Sequence, residues 1–471
     1  MKNTIYTMLL MACFIMFSCQ GLVDGIDENP NDITVNDVDP SLFLTGAMLA
    51  NSSAAVGHLN RISGMWSGQL VGLASLYSNI YGYSISTAES VGTWSRVYIG
   101  IIPNVRHIRE NLPNDALLQG ISKVLEAQAI GFAANLFGDV PYSEINNEEI
   151  PDPAFDGQVS VLTAAITLLD NAIGDLNDNV GRNIDEDIYF SGDATKWREA
   201  AYTLKARFLM LQRDYAGAYA AATNGISSAA GNMQHIPRGD ASIAEGDKNA
   251  FWTILEGSRT GDIGSEGSYL AQMLDPASDV YRGNAKTDET ARGQYSFVFS
   301  TGGSDNSGII EQFEPQNIVS FEENHLILAE AGARSNGFDR GLQHLNEFRA
   351  WLNGGGRLNA NFIDQPFSYE AYEDADFAAG GMENVDGISA DRALLREIIE
   401  ERYVSGFGEF MPFDDSRRLR GSESDIAVPF PSNTGAGQYP ERFPYSDDEL
   451  NSNSNAPSDD PGIFTKTEVN R

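Results

Sequence analysis

Helical spacing dominates the pattern of apolar positions along this chain. Across 117–137, Leu117, Leu118, Ile121, Val124, Leu125, Phe132 and Leu136 recur at intervals of three and four, which writes one buried stripe on a helix. Val161, Leu162, Ala165, Ile166, Leu169, Ala172, Ile173 and Leu176 write another across 159–176. A third helix opens with Asp193 or Thr195 as its N-cap and places Trp197, Ala201, Leu204 and Phe208 on one face. The alanine-rich stretch after Asp214 follows with almost no linker, so these two helices must pack antiparallel. Together they cover roughly 194–226, the length of a tetratricopeptide unit, with small residues in the second helix where its partner comes close.

A second pair reads out of 323–352, where a turn at 335–339 separates Ile327, Leu328 and Ala331 from Leu342, Leu345 and Phe348. One more amphipathic helix, 391–404, carries Leu394, Leu395, Ile398 and Ile399. The units are unevenly spaced, which excludes a regular solenoid. Between them run 57–92, 232–320, 353–388 and 421–471, rich in Gly, Ser, Asn, Asp and aromatics, and these are predicted as long loops. A short strand is predicted at 295–300. The expected fold is mostly α: tetratricopeptide-like helical pairs forming a scaffold, with long inserted loops and minor β.

The N-terminus adds location. Lys2 precedes a short apolar run, 5–17, too short to cross a bilayer as an anchor and typical of an export signal. Both cysteines of the chain, Cys13 and Cys19, lie there, so the folded body has no thiol for a disulfide or a thiolate metal site. Ser18-Cys19 resembles the end of a bacterial lipobox, which makes Cys19 the expected lipidation site. The expected domains are a lipoprotein signal peptide at 1–18, a flexible acidic tether at 19–39 and a single helical domain at 40–471.

Charge narrows the partners. With 66 acidic against 31 basic residues and a net charge of −35, the chain is a poor match for nucleic acid, anionic lipid surfaces or polyanionic glycans. So many carboxylates produce chance pairs, among them Glu148-Glu149, Asp185-Glu186-Asp187, Glu322-Glu323, Glu400-Glu401 and Asp414-Asp415. These are expected on the solvated surface rather than as an acid and base of a glycosidase. Glu401-Arg402 and Asp415 with Arg418 are expected as ion pairs fixing the last helix. His58, His107, His235, His325 and His344 show no HExxH or similar spacing, so no metal, cofactor or catalytic residue is expected.

Sugar recognition has other needs: flat aromatic faces for the C–H faces of pyranose rings, and amides or hydroxyls for the ring hydroxyls. Trp66, Tyr77, Asn79, Tyr81 and Tyr83 supply these in Gly- and Ser-rich sequence at 65–86. In extended chain Tyr81 and Tyr83 would share a face.

Several ordered segments resemble the SusD/RagB family of outer-membrane nutrient-binding lipoproteins: 94–108, "ANLFGDVPYSE" at 134–144, "GDATKWREAAYTLKARFLML" at 192–211, "LILAEAGAR" at 326–334, "LNEFRA" at 345–350, 394–419 and 439–455. The resemblance implies the SusD-like helical fold and a cell-surface glycan-binding protein, not an enzyme. It would capture oligosaccharides, expected to be neutral, and deliver them to a SusC-like TonB-dependent outer-membrane transporter. Its place would be the outer membrane, lipid-anchored and facing outward. It also implies binding residues in the middle insertion, where Trp252 is the candidate. The alternatives are a peptide-binding lid of the same family and an exported helical glycoside hydrolase.

Overall fold

The computed structural model describes residues 38–147, 149–177, 179–243, 246–255, 257, 259–297, 308–458 and 460–471. Cys13, Cys19, the signal peptide and nearly all of the tether lie outside these residues. Helices form where the stripes place them, as Ala116–Phe137, Gln158–Asp175, Ala194–Leu211, Tyr215–Ala222, Phe321–Asn336, Phe338–Asn353 and Ala390–Ser405. Asp193 is the N-cap of the third, its carboxylate accepting from the backbone N–H groups of Thr195 and Lys196. Gly337, at φ +95°, breaks the chain between the two helices of the later pair, a backbone region that L side chains rarely adopt.

The helices pack in chain order: Ala116–Phe137 on Gln158–Asp175, then Ala194–Leu211, Tyr215–Ala222, Phe321–Asn336 and Phe338–Asn353, with Ala390–Ser405 against the last two. Close approach needs small residues. A Cβ at Gly131 would fall 2.2 Å from the ring of Phe208 on the facing helix, so glycine alone admits that contact. Trp66, Trp197, Phe137, Phe348 and Phe443 are buried in this core. Strand structure among the described residues is confined to four two-stranded antiparallel pairs: Val71–Gly72 with Ile263–Gly264, Val140–Pro141 with Phe155–Asp156, Met233–His235 with Gln316–Val319, and Thr287–Asp288 with Ser368–Tyr369. The fold is mostly α, as expected.

Three expectations are corrected. The 57–92 segment is largely helical, with His58–Trp66, Ser75–Tyr81 and Ala88–Ser95; each is too short for periodicity to rise above its Gly- and Ser-rich composition, and core packing holds it. The strand predicted at 295–300 is displaced at its start by the helix Thr290–Ser296, where the Tyr295 hydroxyl donates to Glu314 Oε2 at 2.9 Å; 298–300 lie outside the described residues. Most of the acidic pairs are not solvated. Glu322, Glu323, Glu401, Asp414 and Asp415 are all buried; arginines meet all of them except Glu322, which accepts from the side chains of Asn232 and Asn317.

Two networks carry that buried charge. Glu330 accepts from Arg418 at 2.7 and 2.5 Å and from Arg334 at 2.9 Å, while Asp415 accepts from Arg402 at 2.7 Å and Arg418 at 2.9 Å. The expected Asp415–Arg418 pair is therefore present, and Arg402 turns to Asp415 rather than to its neighbour Glu401. Glu401 instead meets Arg282 at 2.9 Å and Arg292 at 3.0 Å, and Arg282 also reaches Glu289 and Glu397. Burial pushes the Glu330 carboxyl up, but the guanidiniums of Arg418, Arg334 and Arg402 outweigh it and hold the group at about 2.

Removing one partner of such a pair strands a buried charge, so Glu330→Ala is expected to cost about 3–5 kcal/mol in urea unfolding. The pH dependence has a definite sign. Glu330 titrates below its ordinary value of 4.5 in the folded state, so its contribution is present above that value and is lost as pH falls toward about 2. Stability measured between those limits should fall less steeply in Glu330→Gln than in the parent protein.

Candidate functional site

The two regions singled out from sequence meet in space. Val71–Gly72, between the His58–Trp66 and Ser75–Tyr81 helices, pairs antiparallel with Ile263–Gly264 of the middle insertion. Leu73 N–H donates to the Asp262 carbonyl at 2.9 Å, and Arg61 Nη1 donates to the Ala250 carbonyl at 3.3 Å. The Arg259 guanidinium lies 5.6 Å from the centre of the Tyr77 ring and its Nε donates to Asp262 at 2.8 Å. A face built from both regions results.

Trp252 is oriented by its neighbours. Asn249, fully buried, donates to the carbonyls of Ile309 and Glu314, and its own side-chain oxygen accepts from the N–H groups of Phe251 and Trp252, opening the Ala250–Leu255 helix. The Trp252 ring is half-buried, with the Lys248 ammonium 4.7 Å from its centre. Asn79 is exposed and Tyr81 is half-buried, its phenol pushed above its ordinary range by that burial. Trp252, Asn79 and Tyr81 are the predicted residues with surface to offer.

The others are placed differently. Trp66 is 0 % exposed, stacks on Phe443 at 4.7 Å and donates from Nε1 to the Ile80 carbonyl at 3.0 Å, so no ring face is left for a ligand. Tyr77 is buried, its hydroxyl 3.2 Å from His58 Nδ1. Tyr83 is also buried: its hydroxyl accepts from the Asn433 N–H at 3.0 Å and its ring meets Phe464 edge-on at 5.9 Å. Tyr81 ends a helix and Tyr83 sits at φ +66°, so the extended backbone that would align their rings does not form. These rings close the core beneath the face instead of lining it.

Sequence reasoning missed His58, Arg61, Lys248 and Arg259. No local signal marks them, because each lies in an unremarkable stretch and only the Val71–Gly72 pairing gathers them. His58 Nε2 is 2.8 Å from Glu89, and burial holds the imidazole below its ordinary range. Two carboxylates here are engaged, Glu89 with the His58 imidazole and Asp262 with the Arg259 guanidinium. An aromatic ring, an exposed amide and paired charges are groups that bind and orient a ligand.

A family model described as "Starch-binding associating with outer membrane" matches residues 30–407. The chain belongs to the SusD-like family. Such proteins are binding proteins associated with the outer membrane, and the family's binding is of glycans. Among solved structures, a SusD/RagB family protein from Bacteroides thetaiotaomicron superposes with a TM-score of 0.63 at 19% identity, over 89% of this chain and 95% of that one. A chitin-binding SusD homolog from Flavobacterium johnsoniae gives 0.66 at 18% identity, over 91% and 98%. At such identities the likeness is one of fold. Among proteins of curated function, none matches this chain. The "GDVPY" segment of this SusD-like chain is a scaffold turn: Gly138 has φ +84°, Val140–Pro141 pairs with Phe155–Asp156, and the Tyr142 hydroxyl donates to Glu126 at 3.0 Å.

Core and face should separate on mutation. Trp66→Ala is expected to cost about 3–5 kcal/mol in denaturant unfolding, as large aromatic truncations in cores do. Trp252→Ala should leave the unfolding midpoint much closer to that of the parent.

Proposed function

We propose that this protein is a cell-surface glycan-binding lipoprotein, anchored through Cys19, that captures neutral oligosaccharides and delivers them to a partner SusC-like TonB-dependent transporter. The observation that carries the glycan reading is the half-buried Trp252 beside Lys248, on a face joined to the Asn79 and Tyr81 segment by strand pairing, within a SusD-like chain. An indole ring accepts the C–H face of a pyranose, and amide and charged groups fix hydroxyls around it. The chitin-binding relatives support a neutral ligand, and a net charge of −35 repels polyanionic ones. Capture without covalent change is the role assigned, because SusD-like proteins are binding proteins.

Titration calorimetry against starch- and chitin-derived oligosaccharides should show saturable binding with the glycan chain length unchanged afterwards. Trp252→Ala should weaken it by about tenfold or more, ~1.4 kcal/mol. Tight binding of peptides with no response to any glycan would overturn the cargo, and released shorter sugars would identify a hydrolase. Cys19→Ser should move the protein from the membrane fraction to the soluble one; retention in the membrane would remove Cys19 as the anchor.

A further inference from the structure

Three side chains away from the glycan face converge between adjacent helices. His325 belongs to Phe321–Asn336, and His344 and Glu347 to Phe338–Asn353. His344 and Glu347 stand three residues apart and so share a helical face, to which packing brings His325. Glu347 Oε2 is 2.8 Å from His344 Nδ1 and 3.7 Å from His325 Nε2. One donor atom from each of the three lies within 4.8 Å of the other two, and among the described residues this is the one group of three His, Cys, Asp or Glu so arranged.

The imidazoles are held by packing, and the carboxylate by Gln343, whose Nε2 donates to Glu347 Oε1 at 2.8 Å. The His325 ring stacks on Phe348 with centroids 5.9 Å apart and packs against Phe321 at 5.2 Å. His344 Nε2 is 3.2 Å from the Tyr219 hydroxyl, an outer partner of the kind that fixes ring orientation in metal-ligating histidines. The two histidine side chains are 15% and 11% exposed, against 44% for Glu347, so solvent reaches the group from the carboxylate side.

We propose that His325, His344 and Glu347 bind one divalent transition-metal ion of the zinc class, which clamps the two helices. Two imidazole nitrogens and one carboxylate oxygen suit zinc, whereas calcium and magnesium prefer all-oxygen sets. Three protein ligands leave a position for water. Binding replaces the contact of His344 Nδ1 with Glu347 and the 3.1 Å contact of His325 Nε2 with the His344 carbonyl; each imidazole coordinates neutral, with its proton on the other ring nitrogen, which for His344 faces the Tyr219 hydroxyl. The ion binds only the packed helix pair, so it stabilises the fold.

Full-length protein stripped with a chelator is titrated with zinc chloride by calorimetry, with cobalt(II) as a visible-absorption probe. One ion per chain is expected, with a raised melting temperature in zinc and neither effect from calcium or magnesium. Glu347→Gln and His325→Gln should each weaken zinc binding by about tenfold or more and abolish the melting shift. Glu347 is on the surface, so its variant reports even where the histidine variant folds poorly. Absence of saturable zinc binding, or parental affinity in Glu347→Gln, overturns the site.

Discussion

Charge buried in this fold must be paired, and the helix Ala390–Ser405 is where the pairing is concentrated. Arg402 joins it to Asp415 on the following helix, while Glu397 and Glu401 join it to Arg282 and Arg292 of the middle insertion. Each pairing is directional, since a guanidinium meets a carboxylate well only in a narrow set of orientations. The insertion that carries Asn249 and Trp252 is therefore bolted to the scaffold by ions in addition to a hydrophobic seam, where Phe251 and Phe297 pack against Phe407. Arg282 and Arg292 thus hold the insertion to the same helix that Arg402 ties to its successor.

Much of the scaffold was legible because helix signals are local. Asp193 before Trp197, or Gly337 between two apolar stripes, carries its meaning within a few residues. The 57–92 segment was not legible: Ser75–Tyr81 offers only Leu76, Tyr77 and Ile80 as a stripe, and what makes it helical is the core beneath. Likewise Arg334, four residues after Glu330 on the same helix, is a legible partner, but nothing near Glu330 announces Arg402 and Arg418 from later helices.

The face was half legible. Of the residues singled out as ligand-facing, Asn79, Tyr81 and Trp252 have surface, yet composition does not tell a ring that looks out from one that looks in. Tyr77 and Tyr83 look in because their hydroxyls find partners there, His58 and Asn433, which sequence proximity does not reveal. The convergence of His325 with His344 and Glu347 is equally a product of helix packing, with only the last two close in sequence.

Asn433 lies beyond the end of the family match at 407, and its side chain donates to the carbonyls of both Met65 and Tyr81 while its N–H holds Tyr83. A residue that need never meet cargo thereby sets the floor on which the aromatic segment rests. A substitution at Asn433 would shift the backbone at Tyr81 while Asn79 and Tyr81 themselves stay the same residues. The shape of that surface is thus set from behind, by a loop some 350 residues away along the chain.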